Sequence, residues 1–296
     1  MKTETIASIG LVVGGALWGL YWLPLRALED LGLPGGWAGL VVYGGAVLGM
    51  LALLATGRFP VPKIGGNLIL CGLLTGAAFS CYSTSLTLTE VVRAILLFYL
   101  TPVWGTLLGL MFLGERLTLT RVLALLLAFA GLLVVLGAGD TVPLPRNMGD
   151  WLALMSGMFW ALGSLRIYQS GNITPFDQVF AFVFGSFFVT SLTMLIAPDL
   201  FATGGSAGHA LRQLPWGLLM ALYVLPMLFL TIWPASLLTP GRVGVLLMSD
   251  VIVGVFSAAA LAGEPFGWRE TAGSILIIAA AVVEVLGKSP VKPNPV

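Results

Sequence analysis

The sequence predicts an all-α integral membrane protein with ten transmembrane helices, arranged as two inverted repeats of five helices each. Of its 296 residues, 58% are hydrophobic and only 9% are charged, whereas about a quarter of the residues in an ordinary soluble domain are charged. The charged residues also divide the chain at intervals close to the roughly 20 residues that a helix needs to cross a bilayer. Finally, the second half of the chain weakly resembles the first.

The predicted helices follow one another through short connections that contain proline, glycine or charged residues. The first is about twice as long as the apolar part of a signal peptide, so we interpret it as a transmembrane helix. Eight segments contain no charged residue, whereas the ninth contains Asp250 and the tenth contains Arg269, Glu270 and Glu284. The predicted spans are residues 5–25, 31–57, 64–89, 94–114, 122–139, 151–165, 178–198, 213–241, 243–263 and 266–287.

One stretch recurs near the end of each half. Residues 93–115 align without a gap to residues 242–264, and both begin with arginine and end with Gly-Glu. A second match pairs Trp18 with Trp160 at a slightly different offset. Because five helices is an odd number, the second repeat would enter the membrane from the opposite side, as in many secondary transporters. We place the first repeat at 1–138, a linker at 139–148, the second repeat at 149–288 and a cytoplasmic tail at 289–296.

The distribution of basic residues predicts that both termini are cytoplasmic. With the N-terminus inside, nine of the 14 Lys and Arg residues lie on the cytoplasmic side and five lie outside, in agreement with the positive-inside rule. The inside set is Lys2, Arg58, Lys63, Arg116, Arg121, Arg166, Arg242, Lys288 and Lys292.

Composition and motifs argue against several other classes of function. A net charge of +1 and the absence of a basic run argue against nucleic-acid binding. The only histidine is His209, and the sequence contains no HExxH or GxxxxGK[ST] motif. Its one match to GxSxG, at 204–208, lies in a loop rich in glycine and alanine and does not follow a predicted strand, so the sequence predicts neither an enzyme, nor a metal site, nor a bound cofactor. Cys71 and Cys81 would lie about 15 Å apart on one helix, too far for a disulfide. The expected partners are a small-molecule substrate and membrane lipid, for a chain that can act as a monomer.

The first predicted helix contains the sequence Gly-Ala-Leu-Trp-Gly at 15–19. Together with the ten apolar segments and the duplicated stretch ending in Gly-Glu, it resembles the EamA-type members of the drug/metabolite transporter superfamily. The resemblance covers essentially the whole chain. It implies a two-repeat secondary carrier in a bacterial inner (plasma) membrane, usually an exporter of amino acids or other small metabolites. The abundance of aromatic residues is most similar to that of aromatic amino-acid exporters.

Polar and aromatic side chains at mid-depth are the candidates for substrate binding. Aromatic rings offer stacking and cation–π attraction, and hydroxyl groups can bind a carboxylate. Tyrosine and tryptophan nearer a membrane surface usually form an interfacial belt, and we expect this of Tyr21, Trp22, Trp37, Trp151, Trp216 and Trp268. The candidate substrate-binding residues are Trp18, Tyr82, Ser85, Tyr99, Trp104, Trp160, Ser164, Ser249 and Asp250.

Three prolines within predicted helices are candidate hinges, namely Pro102, Pro226 and Pro234. Each removes a backbone hydrogen bond and can serve either as a hinge or as a static kink.

Two charged residues have simpler expected roles. Arg242 would extend from a helix end to the lipid headgroups, and Glu284 would pair with Lys288 four residues later.

Asp250 is the most unusual residue of the set. It lies about 12 Å along its helix from Arg242, near the bilayer midplane, where a carboxylate costs several kcal/mol. Its position aligns with Thr101 in the first repeat. Two roles are open: a carboxylate that couples transport or binds an ammonium group, and a hydrogen-bonded helix contact.

The sequence therefore predicts a secondary transporter that exports small metabolites, aromatic or hydrophobic amino acids above all, by alternating access and without ATP. Efflux of lipophilic cations is an alternative that Asp250 among aromatic rings would suit. A carrier of sugar phosphates or nucleotide sugars is a further alternative. It is disfavoured because no Lys or Arg lies inside a predicted charge-free span.

Overall fold

The computed structural model describes residues 2–33, 36–89, 94, 97–135, 145–170, 173–201, 204–262 and 267–286. All regular secondary structure within these ranges is helical. The helices are α1 (Lys2–Gly19), α2 (Trp22–Asp30), α3 (Gly36–Ala55), α4 (Gly66–Leu88), α5 (Thr101–Phe112), α6 (Leu119–Val135), α7 (Met148–Gln169), α8 (Pro175–Ile196), α9 (Pro198–Phe201), α10 (Ala207–Arg212), α11 (Leu214–Ala235), α12 (Pro240–Leu247), α13 (Ser249–Ala262) and α14 (Trp268–Leu286).

The chain is an α-helical integral membrane protein. Within the described residues, six stretches are long and apolar enough to cross a membrane, and three further apolar helices are shorter. Each of the ten predicted segments contains helix. Large apolar side chains such as Leu195 and Leu222 are more than 70% exposed, which suits a surface in contact with lipid. The six long stretches are Thr3–Asp30, Gly36–Ala55, Gly66–Ser85, Pro175–Ile196, Leu214–Ala235 and Pro240–Leu261.

The first predicted helix is broken, a feature that the sequence analysis did not predict. It ends at Gly19, and α2 begins at Trp22. Pro24 has no N–H to donate to the carbonyl of Leu20, so the α-helical ladder cannot continue across this point. The N–H of Tyr21 instead bonds three residues back, to Trp18 at 3.0 Å.

The fourth and ninth predicted helices are broken at equivalent positions of the internal alignment. Tyr99 and Leu100 form a turn before α5, and Pro102 lies in the first turn of that helix. Met248, which aligns with Tyr99, separates α12 from α13. Arg93 and Glu264, at the ends of the repeated stretch, lie outside the described residues.

Glycine residues bring several helices into backbone contact. A Cβ atom on Gly45 of α3 would lie 2.0 Å from the carbonyl of Gly217 on α11, and one on Gly185 of α8 would lie 2.0 Å from the carbonyl oxygen of Gly72 on α4. Gly45 and Gly72 thus serve close packing, because a residue without a side chain permits so close an approach of two backbones. The main pairs in contact are α4 with α7 and α8, α11 with α1 and α3, α6 with α14, α5 with α7 and α12, α3 with α8, and α1 with α12 and α13.

The two adjacent glycines of α3 allow a matched test of this packing. Gly45→Ala is expected to destabilise the protein by about 1–3 kcal/mol, because the added methyl group meets backbone that cannot yield. Gly44→Ala places its methyl group 3.6 Å from Phe187, an ordinary contact, and should be neutral or slightly stabilising. Thermal unfolding of both variants in detergent measures the difference, and equal melting temperatures would show that the contact is unimportant.

Candidate functional site

A cluster of aromatic rings from five helices lies within the bundle. It comprises Trp18 and Tyr21 of the first predicted helix, Tyr43 of α3, Phe79 of α4, Trp160 of α7 and Phe182 of α8, and is called the aromatic cluster below. The ring of Phe79 is its centre, with centroids 5.1 Å from Trp18, 5.7 Å from Tyr21, 5.0 Å from Tyr43 and 6.2 Å from Phe182. Most of these pairs are edge-to-face, the arrangement that aromatic quadrupoles favour.

Several polar atoms of the aromatic cluster lack a partner among the described residues. The indole N–H of Trp18 donates to the hydroxyl oxygen of Thr231 at 3.0 Å. The hydroxyls of Tyr21 and Tyr43 and the indole N–H of Trp160 are buried without a hydrogen bond. The two tyrosine hydroxyls lie near each other, but not in hydrogen-bonding geometry. An unpaired buried donor costs about 1–3 kcal/mol, so these groups are suited to binding a polar part of a substrate.

The break in the first predicted helix meets the start of α13. A Cβ atom on Gly19 would lie 2.4 Å from the carbonyl oxygen of Asp250 and 2.8 Å from the amide nitrogen of Gly254. Two turns before Gly19, the carbonyl of Val12 accepts a hydrogen bond from the hydroxyl of Ser249 at 2.9 Å. This crossing places the backbone of Asp250 against the residue that follows Trp18 of the aromatic cluster.

Asp250 occupies the first turn of α13, where the helix dipole favours a negative charge. The N–H groups of Asp250 and Val251 are its nearest backbone donors. Its Oδ1 atom is buried and has no hydrogen-bond partner among the described residues. The phenol of Tyr82 lies within range of a direct electrostatic interaction with this carboxylate. Asp250 thus offers an acceptor that is shielded from solvent.

The corresponding position of the first half, Thr101, is neutral. Its hydroxyl donates to the carbonyl of Phe98 at 2.6 Å, and the same carbonyl lies 2.6 Å from the position of a Cβ atom on Gly157. The ring of Phe98 packs 4.7 Å from that of Tyr82 and 5.2 Å from that of Tyr99. The aromatic side chains of Tyr82 and Phe98 therefore connect Asp250 with the break before α5.

The predicted site residues are distributed unevenly around this centre. Trp18 and Trp160 belong to the aromatic cluster. Tyr82 lies one helical turn after Phe79 on α4, and Asp250 lies within electrostatic range of Tyr82. Tyr99 is 2% exposed and packs in a second apolar group together with Met248. Trp104 is half-buried and its indole N–H has no acceptor among the described residues.

The predicted hydroxyl groups bond to backbone carbonyls. Ser85 donates to Tyr82 at 2.7 Å and Ser164 to Ala161 at 2.9 Å, each within its own helix, whereas Ser249 bridges to α1.

The three predicted hinges differ in their structural setting. Pro102 begins a helix at the turn that follows Tyr99. Pro226 and Pro234 lie inside α11, which continues through both. Pro234 is buried and faces Gly10 of α1, whereas Pro226 is exposed.

Tyr43, Phe79 and Phe182 were not among the site residues predicted from the sequence. The predicted position of Tyr21 in an interfacial belt is wrong. Tyr21 is only 6% exposed, because the break at residues 20–21 turns its ring towards Phe79 instead of the membrane surface. A search for every aromatic residue at mid-span would have found the other three. Trp151, Trp216 and Trp268 are at least half exposed, as an interfacial belt requires.

A second polar group, called the ion cluster below, consists of Ser8, Arg121, Thr239, Arg242 and Glu284. A nitrogen of Arg121 lies 3.2 Å from a carboxylate oxygen of Glu284, and both side chains are less than 10% exposed. Arg121 also donates to Thr239 at 3.3 Å, and Arg242 donates to Ser8 at 3.2 Å. The expectation that Arg242 extends to headgroups is therefore wrong, because it is 4% exposed and bonded to α1. Glu284 pairs with Arg121, and Lys288 lies outside the described residues.

An apolar groove of about 310 Å³ lies beside Ser249. Its lining residues belong to α1, α13 and α14, and they are aliphatic apart from Ser249. No group of His, Cys, Asp and Glu in the described part of the chain could hold a metal ion. The groove is lined by Val12, Ser249, Ile252, Ile277, Ile278, Ala281, Val282 and Leu286.

Phe79 should be essential for the stability of the helix bundle. Phe79→Ala removes a ring that contacts four other rings and is expected to cost about 3–5 kcal/mol of unfolding free energy. Phe188→Ala on α8 is the matched control, because Phe188 is 56% exposed and its loss leaves no cavity. Denaturant unfolding in detergent micelles compares the two, and a similar loss in both would mean that the aromatic cluster contributes no special stability.

Known proteins share sequence and fold with this chain. Residues 5–137 match the EamA-like transporter family. A probable amino-acid metabolite efflux pump of Salmonella typhimurium is 27% identical over 186 residues, which are 61% of this chain and 62% of the relative. The uncharacterized transporter YxxF of Bacillus subtilis is 26% identical over 133 residues, 43% of each chain. Both matches thus span less than two thirds of the relatives' lengths.

The fold is also known from solved structures. One crystal structure superposes with a TM-score of 0.72 and covers 95% of this chain and 98% of its own chain, at 17% sequence identity. At that identity the likeness concerns the fold alone. Residues 5–137 thus match the EamA-like transporter family, and the apolar helices identify the chain as an integral membrane protein.

Proposed function

We propose that the protein is a secondary carrier that exports small zwitterionic metabolites, with aromatic and hydrophobic amino acids as its preferred substrates. The observation that carries this proposal is the buried, unpartnered carboxylate oxygen of Asp250, on a backbone that packs against Gly19, the residue after Trp18 of the aromatic cluster. The name of the Salmonella relative, a probable amino-acid metabolite efflux pump, points to the same class of substrate.

The aromatic cluster supplies the apolar part of such a site. Edge-to-face contacts around Phe79 show that these side chains accept an aromatic ring as a neighbour, and a substrate ring would make the same contacts. The unpaired hydroxyls of Tyr21 and Tyr43 are donors of the kind that a substrate carboxylate needs. No Lys or Arg belongs to the cluster, so a doubly charged phosphate would find no cation there.

Asp250 supplies the charged part. A carboxylate oxygen without a donor is costly in an apolar interior, and an ammonium group would provide both a positive charge and N–H donors. The ring of Tyr82, which lies near Asp250, adds a face for cation–π attraction. A zwitterionic amino acid therefore complements both ends of the site.

We further propose that the two halves, 1–138 and 149–288, are inverted repeats of five transmembrane helices that work by alternating access, with both termini in the cytoplasm. Matched contacts support this arrangement. Gly15 of α1 approaches the carbonyl of Leu247, and Gly157 of α7 approaches that of Phe98. These four residues correspond in pairs under the two internal alignments. Likewise, the packing of α4 on α7 and α8 has a counterpart in the packing of α11 on α1 and α3.

Counterflow of labelled amino acids in proteoliposomes of the pure protein tests the proposal. Saturable counterflow of tryptophan or phenylalanine is expected without ATP, whereas glucose 6-phosphate should not be exchanged. Absence of counterflow for every amino acid would overturn the proposed substrate class.

Efflux of lipophilic cations is the second candidate, and Asp250 near the ring of Tyr82 is the observation that favours it. Tetraphenylphosphonium is the discriminating probe, because it has a positive charge and aromatic rings but no carboxylate. Transport of this cation without exchange of tryptophan would replace the first proposal.

Asp250→Asn is expected to lower tryptophan counterflow about tenfold or more, the scale of a lost charged hydrogen bond. The control is Asp199→Asn, since Asp199 is exposed at the start of α9 and should transport like the unmodified protein. Initial rates at several tryptophan concentrations separate weaker binding from slower turnover. Normal transport by Asp250→Asn, with unchanged dependence on pH, would leave this residue only a structural role.

Pro102, Pro226 and Pro234 are proposed to act as hinges during transport. Replacing Pro226 or Pro234 by alanine restores a donor inside α11 and should stiffen that helix, so we expect slower tryptophan exchange with unchanged half-saturation. Pro198→Ala, at the first residue of α9, is the control, because a proline there interrupts no helix. Unchanged exchange rates in both α11 variants would show that the two kinks are static.

A further inference from the structure

The apolar groove lies at the boundary between two tightly packed groups of helices. On one side α6 packs along α14, and a Cβ atom on Gly131 would lie 2.7 Å from the carbonyl oxygen of Gly273. On the other side α1 packs along α12 and α13, with Gly15 and Gly19 at the contact. Each group is close-packed within itself. Buried apolar residues such as Leu132 and Ile277 on one side and Val251 on the other also pack together at the boundary, and beside this contact lies an open volume of about 310 Å³.

The ion cluster connects the two groups at one end of this groove. Ser8 lies one helical turn before Val12, and Glu284 lies one turn after Ala281, and both Val12 and Ala281 line the groove. Arg121 is held by Glu284 within the α6–α14 group, and it also donates across the boundary to Thr239 at the start of α12. Arg242 is bonded to Ser8 within the other group and is attracted across the boundary by Glu284.

The burial of these charges gives the ion cluster two states, one closed and one open. In the closed arrangement Arg121, Arg242 and Glu284 are almost completely buried, so losing a partner while the groups stay buried would leave an uncompensated charge, which is costly. Once water enters, each charge is hydrated and the attraction falls to the small value that is typical of exposed pairs. Partial opening is therefore unfavourable, and the cluster is stable either closed or fully open.

We propose that the ion cluster is a latch that holds the α6–α14 pair against α1 and α12, and that its release opens the groove to water as far as Ser249. Ser249 directly precedes Asp250, so the opened groove leads to the proposed substrate site. Its aliphatic lining matches the apolar side chains of the proposed substrates. The inference rests on the proposed function for the identity of the cargo, but not for the movement itself.

Thiol labelling detects the movement without any substrate. The reporter is Val12→Cys, which lines the groove, in a background of Cys71→Ser and Cys81→Ser that removes both native thiols. A membrane-impermeant maleimide reacts with this cysteine only when water reaches the groove, and nanodiscs leave both faces of the protein accessible. With the latch intact, labelling should be slow.

Glu284→Gln should speed labelling of the reporter about fivefold or more, a typical size for a conformational coupling. The charge-exchanged variant Arg121→Glu/Glu284→Arg should return the rate to within about twofold of the intact latch, because it restores the attraction. Arg116→Gln is the matched control, since Arg116 is an exposed arginine just before α6, and it should have no effect. Thr239→Val and Ser8→Ala, which each remove one neutral partner, should cause smaller increases.

Unchanged labelling in Glu284→Gln, Thr239→Val and Ser8→Ala would overturn the latch. Equally fast labelling in the charge-exchanged variant and in Glu284→Gln would show that attraction between the two charges does not close the groove. If Glu284→Gln does not fold, the two milder variants decide the question. Since no transport is measured, a failure of the latch is distinguishable from a failure of the proposed substrate class.

Discussion

Hydrocarbon offers no hydrogen-bond partners, so each backbone N–H and C=O group within a membrane must be satisfied by the protein itself. This constraint restricts the chain to helices wherever it meets lipid, and it confines interruptions of helices to the interior. Tyr21, Tyr99 and Met248, which mark the three breaks, are 6%, 2% and 0% exposed. At these three breaks the irregular backbone is thus surrounded by other helices, and the candidate site lies near them.

The same constraint explains how polar groups come to lie in the candidate site of a chain that is mostly apolar. A break ends one helix and starts another, which brings the positive end of a helix dipole to mid-depth. Asp250 lies at such a helix start, and Thr101 occupies the equivalent start in the other half. The difference between a carboxylate and a hydroxyl at these two positions makes the site asymmetric, although the surrounding helices pack in matching pairs.

Helix positions could be predicted from the sequence, because charged residues and prolines delimit apolar segments of bilayer length. The break at Met248 could not, since no proline or glycine lies at that position. The sequence also did not indicate which side of each helix faces the protein interior. Lipid and protein interior are both apolar, so buried Phe79 and exposed Leu222 look alike in sequence.

The candidate site could be predicted where a polar atom at mid-depth drew attention to a residue. Trp18 and Trp160 carry such atoms and belong to the aromatic cluster. Tyr82 and Asp250 carry them too, and they lie within electrostatic range of each other. Phe182 carries none and was missed. The burial of Arg242 depends on Ser8, more than two hundred residues earlier, so local sequence around the arginine gave no indication of it.

The backbone contacts between Gly45 and Gly217, and between Gly72 and Gly185, have a mechanical consequence. No side chain separates the helices at these points, so a shift by one residue along either axis would drive the side chain of a neighbouring residue into the opposite backbone. Neither α3 and α11 nor α4 and α8 can slide past each other. Each pair therefore moves as one rigid unit. Any large displacement has to occur between helices whose contacts are made by side chains.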